Sequence, residues 1–265
     1  MTPLHTKTVS LAIAHVPNQG IKVTTANGSI DVGQQSRSDV ELTAEIRATT
    51  PERLEQVTIQ ADRDEQGTLV VKTNWPDKRK SREGCSFTIA LPDAQGVDLQ
   101  SSNGSLTVTN LAGGMQLKTS NGSIKAESHR GKVVAETSNG SIKVRDASGD
   151  VDLHSSNGKI EGTGIKGSAK AKTSNGNIAI ALAPESQGPI NAKSSNGSLT
   201  LTLNQRFTGE LDLSTSNGSV KIDDALESSV VSRHKKKRAR LQVGKGGPSS
   251  SGSTSNGSIH VEVLR

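Results

Sequence analysis

Asp150 and Asp152 are the residues of this chain best spaced for acid–base chemistry. Two apart, they share one face if the segment is a strand, with Glu136 and Lys132 a coil edge away. Clustered carboxylates beside a basic group are what polysaccharide hydrolases and lyases require. The plainer reading is two solvated carboxylates on a sheet face. Six histidines, His5, His15, His129, His154, His234 and His260, share no spacing with Ser or Asp that makes a triad or a metal site. His129 and His154 read as solvent-facing corner residues. Calcium-binding nonapeptide rolls place a recurring Asp at each corner, because a hard cation wants charged oxygens. Here the corners read Ser-Asn-Gly, without a recurring carboxylate. No metal, cofactor or catalytic residue is expected.

The formal net charge is +6, and much of it sits in one run: Arg233, Lys235, Lys236, Lys237, Arg238 and Arg240. Such a run is a candidate anion contact. With two Phe, one Trp and no Tyr in the whole chain, no aromatic stands near it to stack bases, which disfavours nucleic acid. The run lies between Val230-Val231 and Leu241–Val243, which read as paired strands. A charge-guarded edge or contact with an anionic polymer or headgroup surface fits it. Seven Asn-Gly-Ser triplets match the glycan acceptor pattern, but a turn requirement already explains them. The single Cys85 excludes an intrachain disulfide, so stability must come from packing.

The elements that carry these residues follow a clock. Gly104, Gly113, Gly122, Gly131, Gly140, Gly149, Gly158, Gly167 and Gly176 are nine residues apart, and apolar residues recur two and four positions after each, as in Ile142 and Val144. Only Gly162, after Ile160, breaks the apolar pattern. A second period of eighteen overlays the first, with Ser-Asn-Gly before every other strand. The Asn-Gly corners are Asn103-Gly104, Asn121-Gly122, Asn139-Gly140, Asn157-Gly158 and Asn175-Gly176. Further copies stand at Asn196-Gly197, Asn217-Gly218 and Asn256-Gly257. Alternation of apolar and polar residues predicts strands, and the glycines are expected where the chain turns with positive φ.

Fixed-period repetition means one unit stacked on copies of itself. An antiparallel meander with Asn-Gly hairpins would bring strands right up to a two-residue turn. Leu117 and Ile124 lie too far apart for that. The spacing favours an all-β, single-stranded parallel β-solenoid with two strands per coil of about eighteen residues, the repeated Asn side chains stacking along one edge. The expected layout is a lead-in over 1–20 and one solenoid domain over 21–265. Within it 21–100 is an irregular capping part, 101–223 the regular repeats, and 224–265 a closing element with the basic loop 233–240. Past Ile180 one corner lengthens by three residues, so the coils of Ile190, Leu199, Leu211 and Val220 follow at twelve and nine.

Phe87-Thr88-Ile89-Ala90-Leu91-Pro92 leads into Val97-Asp98-Leu99 and Ser102-Asn103-Gly104-Ser105-Leu106, followed by the Thr-Ser-Asn-Gly-Ser-Ile copies. Near the end stand Leu241-Gln242-Val243-Gly244-Lys245-Gly246-Gly247 and Thr254-Ser255-Asn256-Gly257-Ser258-Ile259. These segments resemble the "putative adhesin" family of β-strand repeat proteins, also called the Toastrack domain. The resemblance covers roughly 20–265. It implies a right-handed β-helix, usually of bacterial envelope or secreted proteins, with no established catalytic residues. A non-enzymatic binding or scaffold module with an unidentified protein, polysaccharide or surface partner is the expected function. The alternatives are a carbohydrate-active β-helix enzyme and an envelope-stress sensor or assembly module. No run approaches the length of a membrane span, and the first thirty residues carry no signal-peptide pattern.

Overall fold

The structure is a computed structural model that describes residues 4–264. The chain divides into two compact units, Met1–Ala126 and Glu127–Arg265. Both are built of parallel strands in two sheets with the apolar clock residues between them, so the solenoid winding expected from the spacing is the one observed.

In the first unit, Ile21–Asn27 pairs in parallel with Gln95–Asn103, which pairs in parallel with Ala112–Thr119. On the second sheet Ile30–Gln34 lies between Gly84–Leu91 and Leu106–Thr109, parallel to both. The coil formed by 21–34 therefore sits inside the coil formed by 69–91, although it precedes it in sequence. Antiparallel strands finish this end. Asp39–Ala48 pairs with Gly84–Leu91, His5–Ala14 with Asp39–Ala48, and Thr58–Arg63 with Leu69–Asn74. A short helix, Pro51–Gln56, starts where the Thr50 side chain accepts from the Arg53 N–H and Pro51 occupies the first turn.

Beside that helix, Arg53 is almost fully buried and binds the fully buried Glu83 through Nε at 2.6 Å and Nη2 at 3.0 Å. It also reaches Asp77. Burial alone would raise the Glu83 carboxyl. Arg53 and the N–H groups of Lys80 and Thr49 outweigh it and hold the group at about 2. This knot fixes the loop 75–83, whose Ser81 and Glu83 carbonyls accept from Asn27 Nδ2.

In the second unit the eighteen-residue period becomes strand register. Val133 lies opposite Val151, Val151 opposite Ala169, and Ile142 opposite Ile160. After the three-residue insertion Ala169 lies opposite Ile190 and Ile178 opposite Leu199, with no loss of phase. Gly162, the break in the pattern, faces inward. Ile180 Cδ1 would come within 3.0 Å of a Cβ there, with Ile165 Cγ1 behind it at 3.6 Å, so neighbouring chains fill the missing volume.

Spacing alone puts the coil 209–222 directly on the coil 190–203. The structure instead inserts the last copy between them. Ser249–Asn256 is parallel to Ile190–Asn196 on one side and Gly209–Asn217 on the other, while Ile259–Val263 separates Leu199–Leu203 from Val220–Ile222. The inward residues of Ser249–Asn256 are small, whereas Ile259–Val263 brings Ile259 and Val261 inward. Gly252 lies under Leu213 Cδ2 and Leu201 Cδ1, where a Cβ would come within 2.9 and 3.2 Å. Leu213 and Leu201 thus leave room at that position only for a residue without a side chain.

Candidate functional site

The Thr/Ser-Ser-Asn-Gly corner is a stacking device. Its first residue is buried and donates its hydroxyl to a glycine carbonyl one coil away: Thr119 to Gly104 at 3.0 Å, Thr173 to Gly158 at 3.1 Å, Thr254 to Gly197 at 2.8 Å. The asparagines run in amide ladders. In the first unit Asn103 Nδ2 donates to Asn27 Oδ1 at 2.6 Å and Asn121 to Asn103 at 2.7 Å. In the second, Asn157 donates to Asn139, Asn175 to Asn157, Asn196 to Asn175, Asn256 to Asn196 and Asn217 to Asn256, all within 2.9 Å.

The corner glycines after Asn mostly have a different cause from the one expected, whereas Gly113 (φ 85°) and Gly131 (φ 143°) sit at positive φ as expected. Gly104, Gly122, Gly158, Gly176, Gly197 and Gly218 do not sit at positive φ. A Cβ on each would overlap the carbonyl oxygen of the next corner glycine, as Gly158 would with Gly140. Positive φ belongs to the other corner, at Asn110, Ser128, Asp146 and Gly164, again eighteen apart. A left-handed residue there turns the following side chain inward. Leu111, His129, Ala147 and Ile165 are all at most 1% exposed as a result. His129 is therefore a core residue, not a solvent-facing one. His154 is exposed, but on the strand Val151–Ser155 rather than at a corner.

The carboxylates considered for catalysis are engaged structurally. Asp150 accepts from the Ser168 N–H at 2.7 Å, and bonds from the Ser168 hydroxyl and N–H hold its carboxyl below the usual carboxylate range. Asp152 binds Lys170 at 2.9 Å. Glu161, between Lys159 and Lys143, is likewise held low. A general acid would need its pKa raised instead. Among the described residues no His, Cys, Asp and Glu side chains group to hold a metal ion. Cys85 is buried, and burial pushes its thiol to about 11.

The basic run folds as a hairpin of Val230–His234 and Arg238–Val243. Lys237 N–H donates to His234 O at 2.9 Å, closing a two-residue turn with Lys235 at φ 46° and Lys236 at φ 55°. That is the turn Asn-Gly serves best, and a bulky L-residue there costs roughly 1–2 kcal/mol. Two lysines occupy it instead. The run is only partly free: Arg233 binds Glu227 at 2.9 Å, Arg240 binds Glu210 and Asp212 at 3.0 Å each, and Lys237 Nζ donates to Ser216 O at 2.7 Å. On the solvent face shared by the hairpin and the adjacent strands lies an open concavity of about 700 Å³, lined by Ser214, Ser232, Ser251, Ser253 and Asp212, with Arg238, Arg240 and His234 at its wall. The serines contributed nothing to the sequence reading, since their neighbours are set by a register spanning 39 residues, Ser214 opposite Ser253.

A family model described as a domain of unknown function, DUF7330, matches residues 115–263, more than half of the chain. The chain belongs to that family. This DUF7330 protein is also similar in fold to a solved structure described as a "putative adhesin" from Bacteroides fragilis NCTC 9343. That likeness has a TM-score of 0.54 at 14% identity over 97% of both chains. A "putative adhesin" from Parabacteroides merdae ATCC 43184 matches at TM-score 0.32 and 14% identity, over 99% of this chain and 96% of that one. A "putative lipid binding protein" from Parabacteroides distasonis ATCC 8503 matches at 0.38 and 12%, over 98% and 97%. No curated protein matches. At 14% identity the Bacteroides fragilis likeness carries the fold alone, and the DUF7330 match carries the family.

Proposed function

We propose that this chain is a non-enzymatic binding module of the cell envelope or surface, whose outer sheet faces contact a polymer, surface or partner protein. The observation that carries the reading is how the exposed polar groups of the second unit are used. Asp150 and Asp152, the carboxylates best spaced for catalysis, are engaged by Ser168 and Lys170. The open concavity is meanwhile lined mainly by serine hydroxyls and cations, groups suited to holding a ligand, with its one carboxylate, Asp212, paired to Arg240. The likeness to the adhesin-described structure of Bacteroides fragilis supports the surface location. No helix among the described residues is long and apolar enough to cross a membrane.

The test is to incubate the full chain with a panel of acidic and neutral polysaccharides, following retention and new reducing ends together. Retention without cleavage is expected. Cleavage that Asp150→Asn and Asp152→Asn abolish would overturn the reading.

A further inference from the structure

The register of the second unit lines up residues that the sequence keeps far apart. On its solvent face His154 lies opposite Lys172, and Lys172 opposite Lys193. Lys193 lies opposite Ser253, Ser253 opposite Ser214, Ser214 opposite Arg238, and Arg238 opposite His234. Adjacent strands are about 4.8 Å apart, so these side chains form one row across seven strands. No carboxylate interrupts it between His154 and His234; Glu136, opposite His154, closes the far end.

The parallel row two residues earlier neutralises itself. Lys170 binds Asp152 and Arg240 binds Asp212, with Asn191, Ser251 and Ser232 uncharged. On the other sheet of the unit Lys143 binds Glu161 and Arg145 binds Glu127, Ala179, Ala181, Thr200 and Thr202 are uncharged, and Lys221 stands alone at the edge strand. Lys172, Lys193 and Arg238 therefore gather three cations without an ion-pair partner among the described residues into one row on one face. Within that row, the serine-lined concavity fills the interval between Lys193 and Arg238.

We infer that this row binds a linear polysaccharide carrying a carboxylate on each sugar, laid across the strands. The inference rests on the binding-module reading and names its ligand class. Charge complementarity calls for a polyanion, and a straight row repeating at strand spacing calls for an extended one. The serine hydroxyls of the concavity suit the hydroxyls of a sugar. Single-stranded nucleic acid would need aromatic platforms. Phe87 and Phe207 are buried, and Trp75 belongs to the other unit.

Titration calorimetry of the full chain with a polygalacturonate oligomer long enough to cross the row tests this. A neutral oligosaccharide of equal length and a single-stranded DNA of equal charge serve as comparisons. Binding that weakens with salt is expected, and Lys172→Gln with Lys193→Gln should weaken it roughly tenfold or more. Lys221→Gln with Lys245→Gln removes the same charge from the other sheet and a turn, and should leave affinity within about twofold. No binding of polygalacturonate, equal losses in both double variants, or equal binding of the DNA would overturn the inference while leaving the binding-module reading intact. New reducing ends from polygalacturonate would overturn that reading and this inference with it.

Discussion

Gly158 lies so close to Gly140 that a Cβ on the former would overlap the carbonyl oxygen of the latter. The contact recurs from coil to coil, so each Asn-Gly corner sets the approach of the next. Substituting Ala must push two coils apart. Gly158→Ala should destabilise the chain by about 3 kcal/mol, a size reached only by a few mechanisms such as backbone strain and overpacking. Gly114 has no neighbour within 4 Å of a Cβ and no positive φ, so Gly114→Ala should be neutral or slightly stabilising. Paired thermal melts of the two variants decide it; equal melting temperatures would contradict the close-approach account.

The Thr173 hydroxyl and the Asn157 amide hold the same corner with different burial. Thr173 is 2% exposed and bonds the Gly158 carbonyl, whereas Asn157 bonds Asn139 and Asn175 at the solvent edge. Water can replace the amide's bonds but not the hydroxyl's. Thr173→Val should cost about 1–2 kcal/mol and Asn157→Ala about half that. Denaturant midpoints at unchanged slope are the measurement.

The knot around Glu83 makes the first unit sensitive to acid. Its folded pKa of about 2 lies below the ordinary 4.5, so the carboxylate stabilises fully above the unfolded value, and that contribution is lost as pH falls from about 4.5 to about 2. Glu83→Gln should remove this loss. It should also weaken the fold at neutral pH by on the order of 3 kcal/mol, because Arg53 stays buried with a partner missing. Melting curves across that pH window compare the two chains.

Lys235 and Lys236 occupy a turn that suits neither. Lys235→Asn with Lys236→Gly should raise stability by roughly 1–2 kcal/mol through relief of the left-handed backbone. If the hairpin tip serves a ligand, polyanion affinity should fall in the same variant. A variant no more stable than the parent would show that the turn is unstrained.

Cys85 is buried, with its thiol at about 11, so the native chain should resist thiol reagents at pH 8 and react only on unfolding. Ellman titration with and without denaturant measures this directly.

Much of the winding is written locally. The apolar pairs Ile142 and Val144, Val151 and Leu153, and Ile160 mark inward positions because strand alternation and the nine-residue period agree. What escapes is anything set by which coil meets which. Every coil offers the same Asn-Gly docking chemistry, so the sequence cannot say that Asn196 meets Asn256 rather than Asn217. The row of Lys172, Lys193 and Arg238 hides for the same reason. His129 escapes because a left-handed Ser128 shifts the inward phase by one. The helix Pro51–Gln56 left a usable trace, Thr50-Pro51, which is an N-cap followed by a first-turn proline.

The placement of residues 249–263 bears on how the molecule is made. A ribosome delivers 190–203 and 209–222 before the strands that must separate them. Until those strands emerge, Ile190–Asn196 and Gly209–Asn217 each carry an unpaired backbone edge along the slot that Ser249–Asn256 fills in the folded chain. Growth of the domain thus finishes by filling a gap rather than by adding a storey. Any stall in translation late in the message would leave the slot free to capture a strand from a neighbouring molecule.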